Sequence, residues 1–125
     1  MSNGRILVMD DEEIIQEVLS NMLDFLGYEV EIANDGVQAI EKYKQAAQSG
    51  KSFDVVIMDL TIPNGLGGKE AIQDLLALDS EVTAIVSSGY SNDPVVMNYT
   101  EYGFKGAISK PFKIEELKKV LQELV

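Results

Sequence analysis

The stretch Phe53-Asp54-Val55-Val56-Ile57-Met58-Asp59-Leu60-Thr61-Ile62-Pro63 decides how this chain reads. In residues 53–58 only Asp54 is polar, and no polar–apolar alternation interrupts the run, which predicts a strand buried on both faces. A carboxylate, Asp59, stands where the run ends, and a short turn leads on to Pro63. In an open parallel sheet, ligands bind at the carboxyl ends of the strands. Asp59 is therefore expected at a functional rim, presented by a rigid, buried element.

Outward from that strand the chain repeats one theme. Arg5-Ile6-Leu7-Val8-Met9 is a short apolar run that halts at Asp10-Asp11-Glu12-Glu13. Ile14, Ile15, Val18, Leu19, Met22, Leu23 and Leu26 then recur at helical spacing, up to Gly27. Residues 28–33 read as a second strand, and Gly36 opens a helix carrying Val37, Ile40, Tyr43 and Ala47. After Asp59, the breaker-rich turn Pro63-Asn64-Gly65-Leu66-Gly67-Gly68 precedes a helix whose apolar side is Ala71, Ile72, Leu75, Leu76 and Leu78. Residues 82–87 form a fourth strand. A fourth helix, capped by Asp93 with Pro94 at its first position, is expected to run to Gly103. Residues 106–109 make a fifth strand, and Ile114, Leu117, Val120, Leu121 and Leu124 the stripe of a fifth helix. Five strands alternating strictly with five helices predict an α/β domain, a parallel sheet covered on both faces by right-handed crossovers.

Composition narrows the chemistry. The chain has 125 residues, enough for one domain with a sizeable core, and residues 1–125 show no linker or repeat. It contains neither cysteine nor histidine, which removes disulfides, thiolate metal sites, Ser-His and Cys-His nucleophile pairs and an internal phosphohistidine. Ten basic residues against 21 acidic ones give a net charge of −11, which repels phosphate backbones and argues against direct nucleic-acid binding. No apolar run approaches the roughly 18–20 residues of a membrane span, and the N-terminus does not read as a signal peptide, so a soluble, cytoplasmic domain is expected.

Four strand ends carry polar groups in the same relative position: Asp10 and Asp11, Asp59, Ser88, and Lys110 ahead of Pro111. In a parallel sheet these ends share one edge. Three carboxylates in one crevice repel by about 4 kcal/mol per close pair at an effective dielectric near 20, a cost that a divalent cation relieves. Oxygen-only ligands favour Mg²⁺. Acid pair, lone Asp, hydroxyl and lysine are the parts needed for phosphoryl transfer to a carboxylate.

These motifs resemble the receiver domains of two-component response regulators. The resemblance runs from Ile6-Leu7-Val8-Met9-Asp10-Asp11-Glu12 to the last helix and rests on four motifs in order: Asp10-Asp11, Met58-Asp59-Leu60-Thr61-Ile62-Pro63 with Gly67, Ser88-Gly89-Tyr90, and Lys110-Pro111-Phe112. The wording around Asp59 and Ser88 looks most like receivers attached to hybrid sensor histidine kinases. The resemblance implies a single flavodoxin-like (βα)5 domain with strand order 2-1-3-4-5. It implies that Asp59 accepts a phosphoryl group from a phosphohistidine on a histidine kinase or histidine phosphotransfer protein. Asp10, Asp11, Asp59 and the backbone carbonyl of Thr61 would hold Mg²⁺, and Lys110 and Ser88 would bind phosphoryl oxygens. Such a domain is no conventional enzyme, but would catalyse its own phosphorylation and dephosphorylation at Asp59. A cis peptide before Pro111, and a homodimer through the face from the fourth to the fifth helix, belong to the same set of expectations.

Two features stand out against that pattern. Ser87 competes with Ser88 for the hydroxyl position; the hydroxyl-Gly-Tyr wording selects Ser88, leaving Ser87 as the last strand residue facing the other way. The family usually has an aromatic three residues before the lysine, where this chain has Ala107, which redirects any switching to residues 90–92 and the fourth helix. Two other classes share the parts list. An aspartyl-nucleophile phosphohydrolase needs a second Asp where Thr61 stands, together with a cap insertion. A flavodoxin-like cofactor binder would have its flavin phosphate repelled by the acidic rim, with no tryptophan to stack on the ring. Gly65-Leu66-Gly67-Gly68-Lys69-Glu70 is not a phosphate loop, because Glu70 occupies the Ser/Thr position.

Overall fold

The structure, a computed structural model, describes residues 3–63, 65–89 and 93–124. Five parallel strands, β1 (Arg5–Met9), β2 (Glu29–Ala33), β3 (Val55–Asp59), β4 (Ala84–Ser88) and β5 (Gly106–Ser109), form one sheet in the order β2-β1-β3-β4-β5. This is the expected flavodoxin-like architecture. All five residues of β3 are buried, as are all five of β4, because helices cover both faces of the sheet. Strand alternation sorts the core into two compartments. Ile6, Val8, Val55, Ile57, Ile85 and Ile108 meet Leu19 and Leu23 of α1 (Glu13–Phe25) and Leu117 and Leu121 of a C-terminal helix (Ile114–Leu124). Leu7, Met9, Val56, Met58, Ala84 and Val86 meet α2 (Gly36–Gln48) and α3 (Gly68–Leu78) on the other side.

The expected fourth helix is two short ones, α4 (Pro94–Met97) and α5 (Tyr99–Tyr102), so the helical segments among the described residues number six and the C-terminal one is α6. Asp93 caps α4 as its pattern predicts, its carboxylate accepting from the Val95 N–H at 2.9 Å, with Pro94 at the start. The break falls at Asn98 (φ −120°, ψ 39°), whose side-chain amide and backbone N–H both donate to the Pro94 carbonyl at 3.0 Å. The side-chain bond competes with the helix ladder for that carbonyl, and Val95 and Val96 propagate poorly. Gly103 closes α5 in the left-handed region at φ +102°, and a Cβ there would lie 2.5 Å from Leu76 Cδ1.

Helical spacing overestimates how much of each stripe is buried. Ile14, Val18, Val37 and Leu78 are exposed, and Ala46 rather than Ala47 packs inward from α2. The strands also begin later than hydrophobicity suggests: β3 starts at Val55 and ends on Asp59, and β4 starts at Ala84 and ends on Ser88 rather than Ser87.

At the edge of the sheet remote from those strand ends, Tyr43 stacks on Phe53 with ring centroids 6.4 Å apart and donates its hydroxyl to Asp79 Oδ2 at 2.7 Å. Burial, reinforced by that bond to a carboxylate, raises the Tyr43 pKa above its ordinary 10.0. A raised pKa contributes stability that is complete below pH 10 and is lost as pH rises towards the folded-state value. Tyr43→Phe should therefore cost about 0.5–1.5 kcal/mol in urea melts at pH 7. The gap to wild type should narrow as pH is raised past 10; a gap that widened would refute the assignment.

Candidate functional site

Parallel pairing brings four strand ends to one edge. Register sets Met9 beside Met58, Asp59 beside Ser87, and Ser88 beside Ser109. The chain leaves β1 into Asp10, β3 ends on Asp59, β4 on Ser88, and β5 runs into Lys110, whose N–H donates to the Ser88 carbonyl at 2.9 Å. The Lys110–Pro111 peptide is cis, as the resemblance implies.

Lys110 Nζ lies 3.1 Å from Asp10 Oδ2 and 3.5 Å from Asp59 Oδ2, so one ammonium bridges two acids that are 1% and 8% exposed. Asp10, Asp11 and Asp59 each offer a carboxylate oxygen such that all three lie within 4.8 Å of one another. Asp11 is exposed, at the mouth of an open cleft of about 430 Å³ lined also by Glu12, Asp59, Thr61, Pro63, Ser88, Gly89 and Lys110. The crowding shows in the titration. Burial, with the charge of Asp10 and a smaller push from Asp11, raises Asp59 from 3.8 to about 6, against the opposing pull of Lys110. Burial draws the Lys110 ammonium down, but the charges of Asp59 and Asp10 outweigh it and leave its pKa raised.

The turn after Asp59 fits closely. A Cβ on Gly68 would stand 2.7 Å from the Asp59 carbonyl oxygen, and one on Gly67 2.6 Å from that of Leu60, so the start of α3 tucks under the β3 end only because both residues are glycine. Such a fit holds the Asp59 backbone against a helix rather than leaving it in a loose loop.

The residues singled out at the strand ends therefore converge: Asp11, Asp59, Ser88 and Lys110 line one cleft with Thr61 on its wall, and Asp10 lies buried against Lys110 within reach of the other two carboxylates. Both serines are buried; Ser88 lines the cleft, whereas the Ser87 hydroxyl has no hydrogen-bond partner among the described residues. Ala107 packs against the α2–α3 side of the core beside Tyr99 and Tyr102, both half-buried. Residues 90–92, to which switching was referred, lie outside the described residues. Glu12 and Gln16 were not foreseen at the site. Glu12 belongs to an acidic run that reads equally well as helix-dipole chemistry. Gln16 is one polar residue within a helical stripe, with nothing in its spacing to mark it.

The matching family model is that of the response regulator receiver domain, and it covers residues 6–122: the chain belongs to this family of two-component signalling domains. It is 33% identical over 122 residues to the osmosensing histidine protein kinase SLN1 of Saccharomyces cerevisiae, covering 95% of this chain and 10% of that protein. It is 30% identical over 120 residues to the chemotaxis protein CheY of Bacillus subtilis, covering 95% of each. The chain thus spans a tenth of the yeast kinase, and it spans 49% of the Bacillus subtilis regulator YkoG. Among solved structures, the receiver domain of the sensor histidine kinase PA1611 of Pseudomonas aeruginosa superposes with a TM-score of 0.85 at 28% identity, covering 98% of both chains. That structure has a magnesium ion coordinated in its active-site cleft. Receivers of hybrid kinases and free-standing CheY proteins are thus both among the relatives.

Because folding raises the Asp59 pKa, ionising Asp59 works against the fold: the cost is absent below about pH 4 and complete above about pH 6. In metal-free buffer at pH 7.5, Asp59→Asn should be more stable than wild type by something on the order of 2–3 kcal/mol. By pH 4 the two should converge. Thermal melts in chelator at both pH values check this, and a destabilised Asp59→Asn at pH 7.5 would contradict it.

Proposed function

We propose that this chain is a phosphoacceptor, taking a phosphoryl group onto Asp59 from a phosphohistidine of a histidine kinase or histidine phosphotransfer protein, in the cytoplasm. The observation that carries the reading is Asp59 sharing Lys110 with Asp10 at the end of a fully buried strand. With a pKa of about 6, Asp59 is mostly ionised at neutral pH and so is a competent nucleophile. One of its oxygens attacks phosphorus as the P–N bond breaks, and the imidazole leaves with the bonding pair. Transfer of this kind asks for positioning and charge neutralisation rather than further covalent chemistry. Lys110, already within 3.5 Å of Asp59 Oδ2, exchanges a carboxylate partner for a phosphoryl oxygen, and Ser88 offers a hydroxyl from the cleft wall.

The donor set suits a hard divalent cation, since it consists of carboxylates whose oxygens converge within 4.8 Å. We assign Asp10, Asp11, Asp59 and the Thr61 backbone carbonyl to Mg²⁺, which when bound would offset the charge of the acid groups and of an incoming phosphoryl group. The magnesium in the PA1611 receiver supports this choice. Phosphorylation adds about two negative charges to an already acidic crevice, enough to bias a two-state equilibrium in the surrounding loops and so change partner preference.

Incubation with acetyl phosphate and Mg²⁺ should add the mass of one phosphoryl group to wild type and none to Asp59→Ala, as read by intact-mass spectrometry. Equal labelling of the two proteins would overturn the reading. A cation that binds only the folded state raises the melting temperature by mass action, so millimolar Mg²⁺ should stabilise wild type and Asp11→Ala should lose most of that gain.

A further inference from the structure

Four polar atoms of Asp10 are each held by a different partner. Its N–H donates to the Ala33 carbonyl at 3.1 Å, Oδ1 accepts the Glu12 N–H at 2.9 Å, and Oδ2 faces Lys110 Nζ at 3.1 Å. Its carbonyl oxygen accepts from the Gln16 side-chain amide at 2.6 Å. The same amide nitrogen donates to Asn34 Oδ1 at 2.8 Å, and the Asn34 N–H donates to Gln38 Oε1 at 3.0 Å. The direction of this relay is fixed at its origin. A main-chain carbonyl only accepts, so Gln16 must present its NH₂ group, and Asn34 must then present oxygen.

The relay has a specific mechanical effect. The carbonyl that Gln16 holds belongs to the Asp10–Asp11 peptide, so fixing it fixes the plane from which Asp11 projects. Asp11 itself is exposed, and the N-cap residue of α1, Glu12, makes no side-chain capping bond. Gln16, reaching back from the first turns of α1 and across to Asn34 at the end of β2, supplies the anchorage that the cap does not.

We infer that Gln16, braced by Asn34, is a positioning residue that holds the Asp11 carboxylate in register with Asp10 and Asp59 for cation binding. This rests on the metal assignment proposed above. Partners that orient metal ligands from behind typically account for 10–100-fold in affinity. Gln16→Met keeps the length of the side chain and removes both donors, and should weaken Mg²⁺ binding about tenfold in calorimetric titrations well below the melting temperature. Asn34→Leu should weaken it by less, and the double variant should be no worse than Gln16→Met alone, because both act through one relay. Tyr43→Phe, which removes a hydrogen bond at the opposite edge of the sheet, should leave the dissociation constant unchanged. A Gln16→Met protein binding Mg²⁺ within twofold of wild type overturns the inference and leaves the metal site standing. If Gln16→Met fails to fold, Asn34→Leu with wild-type affinity overturns it equally. Wild type that binds no Mg²⁺ overturns the metal assignment and the inference with it.

Discussion

Two buried carboxylates, Asp10 and Asp59, share one ammonium, and most of the structure can be understood as what that arrangement requires. Acids this close repel, and burial deepens the penalty. Lys110 reduces it without removing it, so burial first, and the charge of Asp10 second, leave the Asp59 pKa raised to about 6. The geometry persists because each participant is rooted in a strand of the same sheet: β1 leads into Asp10, β3 ends on Asp59, and β5 leads into Lys110. Backbone pairing across β1, β3, β4 and β5 fixes the relative heights of these ends more firmly than side-chain contacts could. The negative charge that Lys110 leaves uncompensated is what a cation in the proposed role would offset.

Much of this was legible in the sequence because it depends on backbone periodicity. A strand buried on both faces announces itself by unbroken apolar character, and β3 and β4 are both of that kind. Polar residues following such runs then fall on one edge whatever the details of packing. The glycine and tyrosine after Ser88 single it out from Ser87, and of these two buried serines it is Ser88 that lines the cleft. The split of the helix at Asn98 was not legible, because Asp93, Pro94 and Gly103 mark only its ends and the competing Asn98–Pro94 bond is a matter of local geometry. Nor could spacing tell which apolar residues of a helical stripe stay wet: on α1, Ile14 and Val18 are exposed while Leu19 and Leu23 are buried. Gln16 and Asn34 were invisible for another reason. Two amides 18 residues apart carry no pattern, and the pairing of β1 with β2 is what brings the start of α1 beside the turn after β2.

Ala107 stands where the resemblance leads one to expect an aromatic residue. It lies one strand from Val86, on the same side of the sheet as Phe104 and Val95, and its methyl joins that compartment rather than standing as a large ring at the surface. Tyr99 and Tyr102, on a helix that begins anew after Asn98, pack against the same compartment.

Seating the Asp59 carboxylate on the last residue of a wholly buried strand also ties the site to evolutionary history. Methyl-sized substitutions beneath β3, at Val56 or Met58 for instance, would tilt the platform on which Asp59 rides, even though neither side chain belongs to the cleft. Drift in the interior is therefore filtered by selection on the rim, and lineages would be expected to exchange core residues in compensating sets, conserving total volume while individual identities wander.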